Sequence, residues 1–275
     1  MSYDLYFDAG PETRLNKKSF AAHFKERANY KVSKTQAVYE NEDTAVHFIW
    51  DAPEDEVCAF NLNFFRPHVF GLEAALELEA FTQAFGVAVT DPQADETAEP
   101  GLFYKEKFLR AWNDGNRFAY KAMLEEQTEP VYTWPSARIR DVWEWNFGRP
   151  SEAETEAQNI FVPGIFAVAV DGQALSVAVW PPECPILLPE VDLLLIPVTQ
   201  ESEDTALVQW QEIAPVVKPY REKAAGLARY RLQFEDWPEQ IATFLNKKRS
   251  PVGQLNGIGL DEVLDHEMVE KALSK

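Results

Sequence analysis

Hydrophobic and polar positions alternate with a period of two over Cys58–Phe64: Cys58, Phe60, Leu62 and Phe64 fall on one side, Ala59, Asn61 and Asn63 on the other. That is the pattern of a strand with one buried face. Arg66-Pro67 closes it, because proline has no N–H to give a ladder. A helix is predicted from about Leu72 to Phe85. Leu72, Ala75, Leu76, Leu78, Ala80, Phe81 and Phe85 make its broad apolar face, and Glu73, Glu77 and Glu79 fall largely on the wet side. Gly86 ends that helix, and Val87–Thr90 predicts a strand before the turn at Asp91-Pro92-Gln93.

Upstream, Ser2–Asp8 sets Tyr3, Leu5 and Phe7 against Asp4, Tyr6 and Asp8, which predicts the first strand. Ser19 is the expected N-cap of a helix reaching about Tyr30. Lys34–Tyr39 and Ala45–Trp50 predict a hairpin around Asn41-Glu42-Asp43. Residues 1–93 then run β-α-β-β-β-α-β, an α+β, ferredoxin-like sandwich with one extra strand and a mostly antiparallel sheet.

The acidic, small-residue stretch 94–104 is the candidate linker to a second α+β part over 105–275, rich in antiparallel strands; one continuous domain is the alternative. In that part Lys105 to about Gln127 predicts a helix with Phe108, Trp112, Ala119 and Met123 inward. Asn113-Asp114-Gly115-Asn116 predicts a kink or break in its middle. Val131–Phe147 reads as one or two strands, and Glu152–Gln158 as loop or a short helix. Ile165–Val170 and Ala174–Val179 flank Asp171-Gly172, a strong hairpin signal. Val191–Val198 looks like a strand covered on both faces. Ala206–Ile213 predicts another strand, Val217–Ala225 the start of a helix, Pro238–Lys248 a helix, and Ser250–Gly259 a loop. Asp261 is the expected N-cap of a last helix over Val263–Leu273.

Composition narrows the classes. The chain of 275 residues carries 8 Trp, 9 Tyr and 18 Phe, enough aromatic surface for a substantial core. Its net charge of −19 is spread along the sequence: residues 1–100 hold 18 acidic against 8 basic side chains. Such a field disfavours nucleic acid and anionic membrane surfaces and favours a basic protein partner. No run of about 18 apolar residues predicts a membrane span, and the N-terminus lacks a signal-peptide pattern. Two cysteines give no disulfide framework. Together these predict a cytoplasmic location.

Motifs for chemistry are sparse. His23, His47, His68 and His266 stand in four separate predicted elements with no ligand spacing, so neither a metal nor another cofactor is expected. No P-loop, GxGxxG or GxSxG occurs. Asn61 and Asn63, with Arg66 and His68 leaving the end of their strand and Asp91 and Gln93 at the exit of another, can line a cleft. There His68 or Asp91 supplies a base and Arg66 an anion holder. The competing reading has the asparagines satisfying turns and Arg66 pairing with a carboxylate. Arg140, Trp143 and Trp145 form a second cluster, suited to core packing or to interface anchors.

Tyr3-Asp4-Leu5-Tyr6-Phe7, Asn41-Glu42-Asp43-Thr44 and Arg66-Pro67-His68-Val69-Phe70-Gly71 resemble small bacterial cytoplasmic proteins, some of them similar to the immunity proteins that accompany secreted antibacterial toxins. The likeness covers mostly residues 1–93 and assigns no catalytic residue. It implies a protein that binds and occludes a toxin. A small-molecule enzyme around Arg66, His68 and Asp91 is the alternative, and an adaptor subunit of an oligomer the third.

Overall fold

The computed structural model describes residues 1–9, 13–93, 100–126, 130–155, 160–182, 184–197, 205–223, 230–234, 236–250 and 255–274. It is a mixed α+β structure with mostly antiparallel sheets, in two compact units: Met1–Ile139 with Leu264–Lys275, and Arg140–Val263. The division thus lies at 139/140, while of the candidate linker residues 94–99 lie outside the described residues.

The first unit is built on one sheet, with β1 (Ser2–Asp8), β2 (Tyr30–Val32), β3 (Gln36–Asn41), β4 (Val46–Glu54), β5 (Val57–Asn63) and β6 (Val89–Thr90) in the order β2-β3-β4-β5-β1-β6. β1 lies antiparallel to both β5 and β6, and every neighbouring pair of this sheet is antiparallel, as expected of a mostly antiparallel sheet. β2 is an additional strand, beginning at Tyr30, where the first helix was expected to end. That helix, α1 (Lys17–Lys25), is capped by Asn16 and not by Ser19. The Asn16 side chain accepts from the N–H groups of Lys18 and Ser19 at 3.0 and 3.1 Å, and Ser19 Oγ accepts from Asn16 N–H, a capping box.

α1 and α2 (Val69–Phe85) seal the inner face. Trp50, Phe60 and Phe7 are fully buried, and the Phe81 ring lies 4.4 Å from Trp50 and 5.2 Å from Phe7. Gly86 closes α2 at φ 65°, the left-handed cap that only glycine adopts without cost. Glu73, expected on the wet side, is buried. Tyr39 and Asn41 on β3 and Thr44 in the following turn all donate to its Oε1, at 2.7, 2.8 and 3.2 Å.

α3 (Lys105–Glu126) runs through Asn113–Asn116 without a break. Asn116 is buried and holds the turn after β5: its side chain accepts from Phe65 N–H at 2.7 Å and donates to the Arg66 carbonyl at 2.7 Å. The Phe64 ring packs on Gly115, where a Cβ would meet it at 2.6 Å and the ring would have to shift. Tyr120 and Leu124 turn inward in place of Met123, which is exposed. With Leu264 and Val269 they form a small core.

β7 (Tyr132–Trp134) is a strand at the start of the range Val131–Phe147 where one or two were expected, and α4 (Ser136–Thr155) replaces strand over the rest and carries the helix on through 152–155. Ile139, Val142, Trp145 and Asn146 form its buried stripe, a helical spacing that the tryptophan-rich composition disguised.

In the second unit β8 (Ile165–Val170) and β9 (Gln173–Val179) form the expected hairpin, with Asp171 and Gly172 at φ 49° and 77°. β10 (Ile186–Leu188), β11 (Leu193–Pro197) and β12 (Thr205–Gln209) follow, and α5 (Trp210–Val217) begins where the sequence predicted the end of a strand. β13 (Glu222–Lys223), β14 (Tyr230–Leu232), α6 (Glu239–Lys248), β15 (Arg249–Ser250) and β16 (Asn256–Ile258) complete the unit. Its main sheet has the order β15-β12-β11-β9-β8-β16, with β11 parallel to β9.

The chain ends in β17 (Val263–Asp265), paired with β7, and α7 (His266–Leu273), so the expected helix start at Asp261 is displaced to Asp265. The strand intervenes because Val263, Leu264 and Asp265 are all buried.

Candidate functional site

Arg66 and His68 sit where β5 passes into α2, and their surroundings there are a structural joint. The His68 backbone N–H donates to Asp265 Oδ2 at 2.7 Å, and its Nδ1 meets Asp265 Oδ1 at 2.6 Å. Asp265 is fully buried, and it ties the C-terminal segment to the start of α2 across 197 residues. The Arg66 carbonyl accepts from Asn116 and from the Tyr120 hydroxyl, the latter at 3.1 Å. Burial and the neighbouring Asp265 push that hydroxyl far above the ordinary phenol range.

Asp91, the third member of the predicted cleft, has different company at the exit of β6. Its carboxylate accepts from the Tyr3 hydroxyl and from Gln93 N–H, the second at 3.1 Å. Burial, with Asp91 beside it, raises the Tyr3 hydroxyl far above its usual value. His68 and Asp91 therefore engage separate carboxylate and hydroxyl partners and do not pair with each other in the described contacts.

The predicted binding residues Asn61 and Asn63 fall on the outer face of the first unit's sheet, and Gln93 lies in the turn after β6. The register draws that face in rows. Asp4, Asn61, Ile49, Val38 and Lys31 form one row across β1, β5, β4, β3 and β2. Thr90, Tyr6, Ala59, Asp51 and Gln36 form the next, and Asp8, Val57 and Glu54 the one beyond. Asn61 donates to the Asp4 carboxylate, and Asp4 N–H donates to the Gln93 side-chain oxygen at 3.2 Å, so two of the predicted residues meet on Asp4. Asn63 lies exposed opposite Ser2.

The centre of this face is apolar and half-exposed: Val38, Ile49 and Ala59, with Tyr6 at 41% and Val57 at 44% exposure. Its surround is acidic. Asp8, Asp51, Glu54 and Glu40 are exposed, while Lys31 is ion-paired to Glu40. An apolar and aromatic centre inside a polar rim is the anatomy of a protein-binding surface. Sequence alternation singled out Asn61 and Asn63 but not Ile49, Asp51 or Val38, because only register aligns the strands.

A small hollow of about 60 Å³, open to solvent, adjoins this sheet edge, lined by Leu5, Val89, Asp91, Lys107 and the residues Gly101–Tyr104 and Phe108. Val89 and Gly101 exchange backbone hydrogen bonds at 2.8 and 3.0 Å, which fixes one wall.

In the second unit Trp145 is core: it is buried and its indole N–H donates to the Pro163 carbonyl at 2.7 Å. Trp143 stacks on Phe147 at 5.3 Å, and Arg140 is exposed. The two cysteines are unactivated, burial raising the thiols of both Cys58 and Cys184.

Among the described residues no group of three or more His, Cys, Asp and Glu is placed to hold a metal ion, and no helix is long and apolar enough to cross a membrane. Comparison of the chain with protein-family models, with curated proteins and with solved structures finds no match in any of the three.

Proposed function

We propose that the chain is a cytoplasmic binding protein of the immunity type, which docks a basic toxin and blocks it. The observation that carries this reading is the outer sheet face, where the apolar Tyr6, Val38, Ile49, Val57 and Ala59 are set among the carboxylates Asp8, Asp51 and Glu54. The carboxylates steer a cationic partner and the apolar residues supply the contact that water leaves. The net charge of −19 and the resemblance of residues 1–93 support it from the sequence. The His68–Asp265 contact acts as a clasp of the fold, and the face does its work without it.

Capture from native cells tests this. The tagged full chain, washed first at low and then at high salt, is expected to retain one basic protein that the second wash releases. An eluate without a partner contradicts the proposal.

A further inference from the structure

The main sheet of the second unit has two unlike faces. On one, Ala167, Ala174, Ala178 and Ala206 are small and buried. On the other, the register lays Gly257, Val168 and Leu175 in one row and Phe166, Val177 and Leu193 in the next. Val168, Val177 and Leu193 are its centre, enclosed by Val170, Leu175, Leu195, Leu207 and Leu255, which stay half-exposed. Phe166 is 57% exposed, and a Cβ added at Gly257 would meet nothing within 4 Å. The large aliphatic residues thus stand on the side that remains partly open to water. Neither row carries an acid or a base, nor does the row of Val179, Leu195 and Leu207 beyond them.

On a chain of net charge −19 a face without charge selects its occupant. A basic partner finds no carboxylate there to bind. A second copy brings a matching apolar face by symmetry and meets it without setting carboxylate against carboxylate. Two copies of one twisted sheet also stack in the aligned manner of a β-sandwich, about 10 Å apart. Five strands about 4.8 Å apart and about five residues long offer roughly 400 Å² each in projection, and more as accessible surface. A stacked pair reaches the lower range of specific contacts, about 1,200 Å² in all, the size of a micromolar dimer. We infer that two copies of the chain associate through this face as a twofold symmetric dimer, sheet on sheet, with Phe166, Val168, Val177 and Leu193 at its centre. The negative charge of each copy opposes the approach, and salt screens that repulsion while sparing the apolar contact. Dimerisation therefore strengthens with salt, whereas the hold on a basic toxin weakens.

The test is sedimentation equilibrium of the full chain from about 1 to about 200 μM, at about 50 and about 500 mM sodium chloride. A monomer–dimer equilibrium is expected, severalfold tighter at the higher salt. Phe166→Lys and Gly257→Asp each weaken it by about tenfold or more, since either sets an unpaired charge in the contact. The two charges have opposite signs, so the loss reports where the charge stands and not the net charge. Phe166 is exposed and the space over Gly257 is open, so both variants are expected to keep the parent denaturation midpoint, which checks the fold.

A chain that stays monomeric at the highest concentration and salt overturns the inference. So does a dimer that salt weakens, or one that either folded variant leaves intact. A dimer lost on Asp8→Asn, Asp51→Asn and Glu54→Gln overturns it too, since the contact would then lie on the first unit. Absence of the dimer leaves the toxin-binding reading to the capture experiment, and failure of that capture leaves the dimer to sedimentation.

Discussion

On the inner face of the first unit's sheet, Phe7, Trp50 and Phe60 lie sealed beneath α1 and α2. On the outer face of the same strands, Tyr6, Ala59 and Ile49 remain at least partly open to water. The carboxylates divide the same way. Glu73, Glu77 and Asp265 each accept from two or more donors of the chain itself: Glu73 from Tyr39, Asn41 and Thr44, Glu77 from Arg27 and Tyr30, Asp265 from His68. Asp8, Asp51 and Glu54 stand at the surface. The inner carboxylates hold buried donors from separate elements, whereas the outer ones are exposed to water, Asp51 accepting from the Gln36 side chain at 2.9 Å. The difference separates buried from exposed acidity within one chain.

Breaking the inner side gives the larger effects. Trp50→Ala is expected to cost about 4 kcal/mol, read from the denaturation midpoint, because it empties a site ringed by Phe7, Phe24, Phe60 and Phe81. Glu73→Ala is expected to cost about 3 kcal/mol in the same measurement, since it strands the Tyr39, Asn41 and Thr44 donors in the core.

A smaller effect sharpens the comparison through pH. His23 packs against Phe24, Phe81 and Phe85, and its value is lowered by burial and by Arg27, against the opposing pull of Glu77 and Glu26. The folded state then binds fewer protons at His23 than the unfolded chain. Stability therefore falls as pH drops through the ordinary histidine value of about 6.5, and is untouched by His23 well above it. His23→Phe is expected to flatten the stability profile between about pH 5 and 7. An unchanged slope would show that the ring is solvated.

The smallest stability effect belongs to the outer face. Neutralising Asp8, Asp51 and Glu54 is expected to shift stability by no more than about 0.5 kcal/mol per residue, the range of ordinary surface substitutions.

Much of this sheet was legible in the sequence. Period-two alternation located β1 and β5, the apolar stripe located α2, and Asp171-Gly172 located the β8–β9 turn. Asn61 and Asn63 were legible as outward residues for the same reason. Long-range partners were not. Asp265 reaches His68 across 197 positions, and no local pattern announces that pairing. Glu73 looked exposed because its three donors arrive from β3 and the turn after it. The helix α4 was hidden because Trp143, Trp145 and Phe147 read as strand residues, while buried Asn146, bonded to both backbone groups of Ile165, interrupts the apolar stripe.

The most direct test of the central claim sets two variants of equal charge side by side in the capture experiment. One carries Asp8→Asn, Asp51→Asn and Glu54→Gln on the outer face; the other carries Glu106→Gln, Glu125→Gln and Glu126→Gln on the exposed side of α3. The account predicts that the first loses the basic partner at a salt concentration where the second still holds it. Equal retention by both would contradict it, since charge anywhere on the chain would then serve as well as charge on that face.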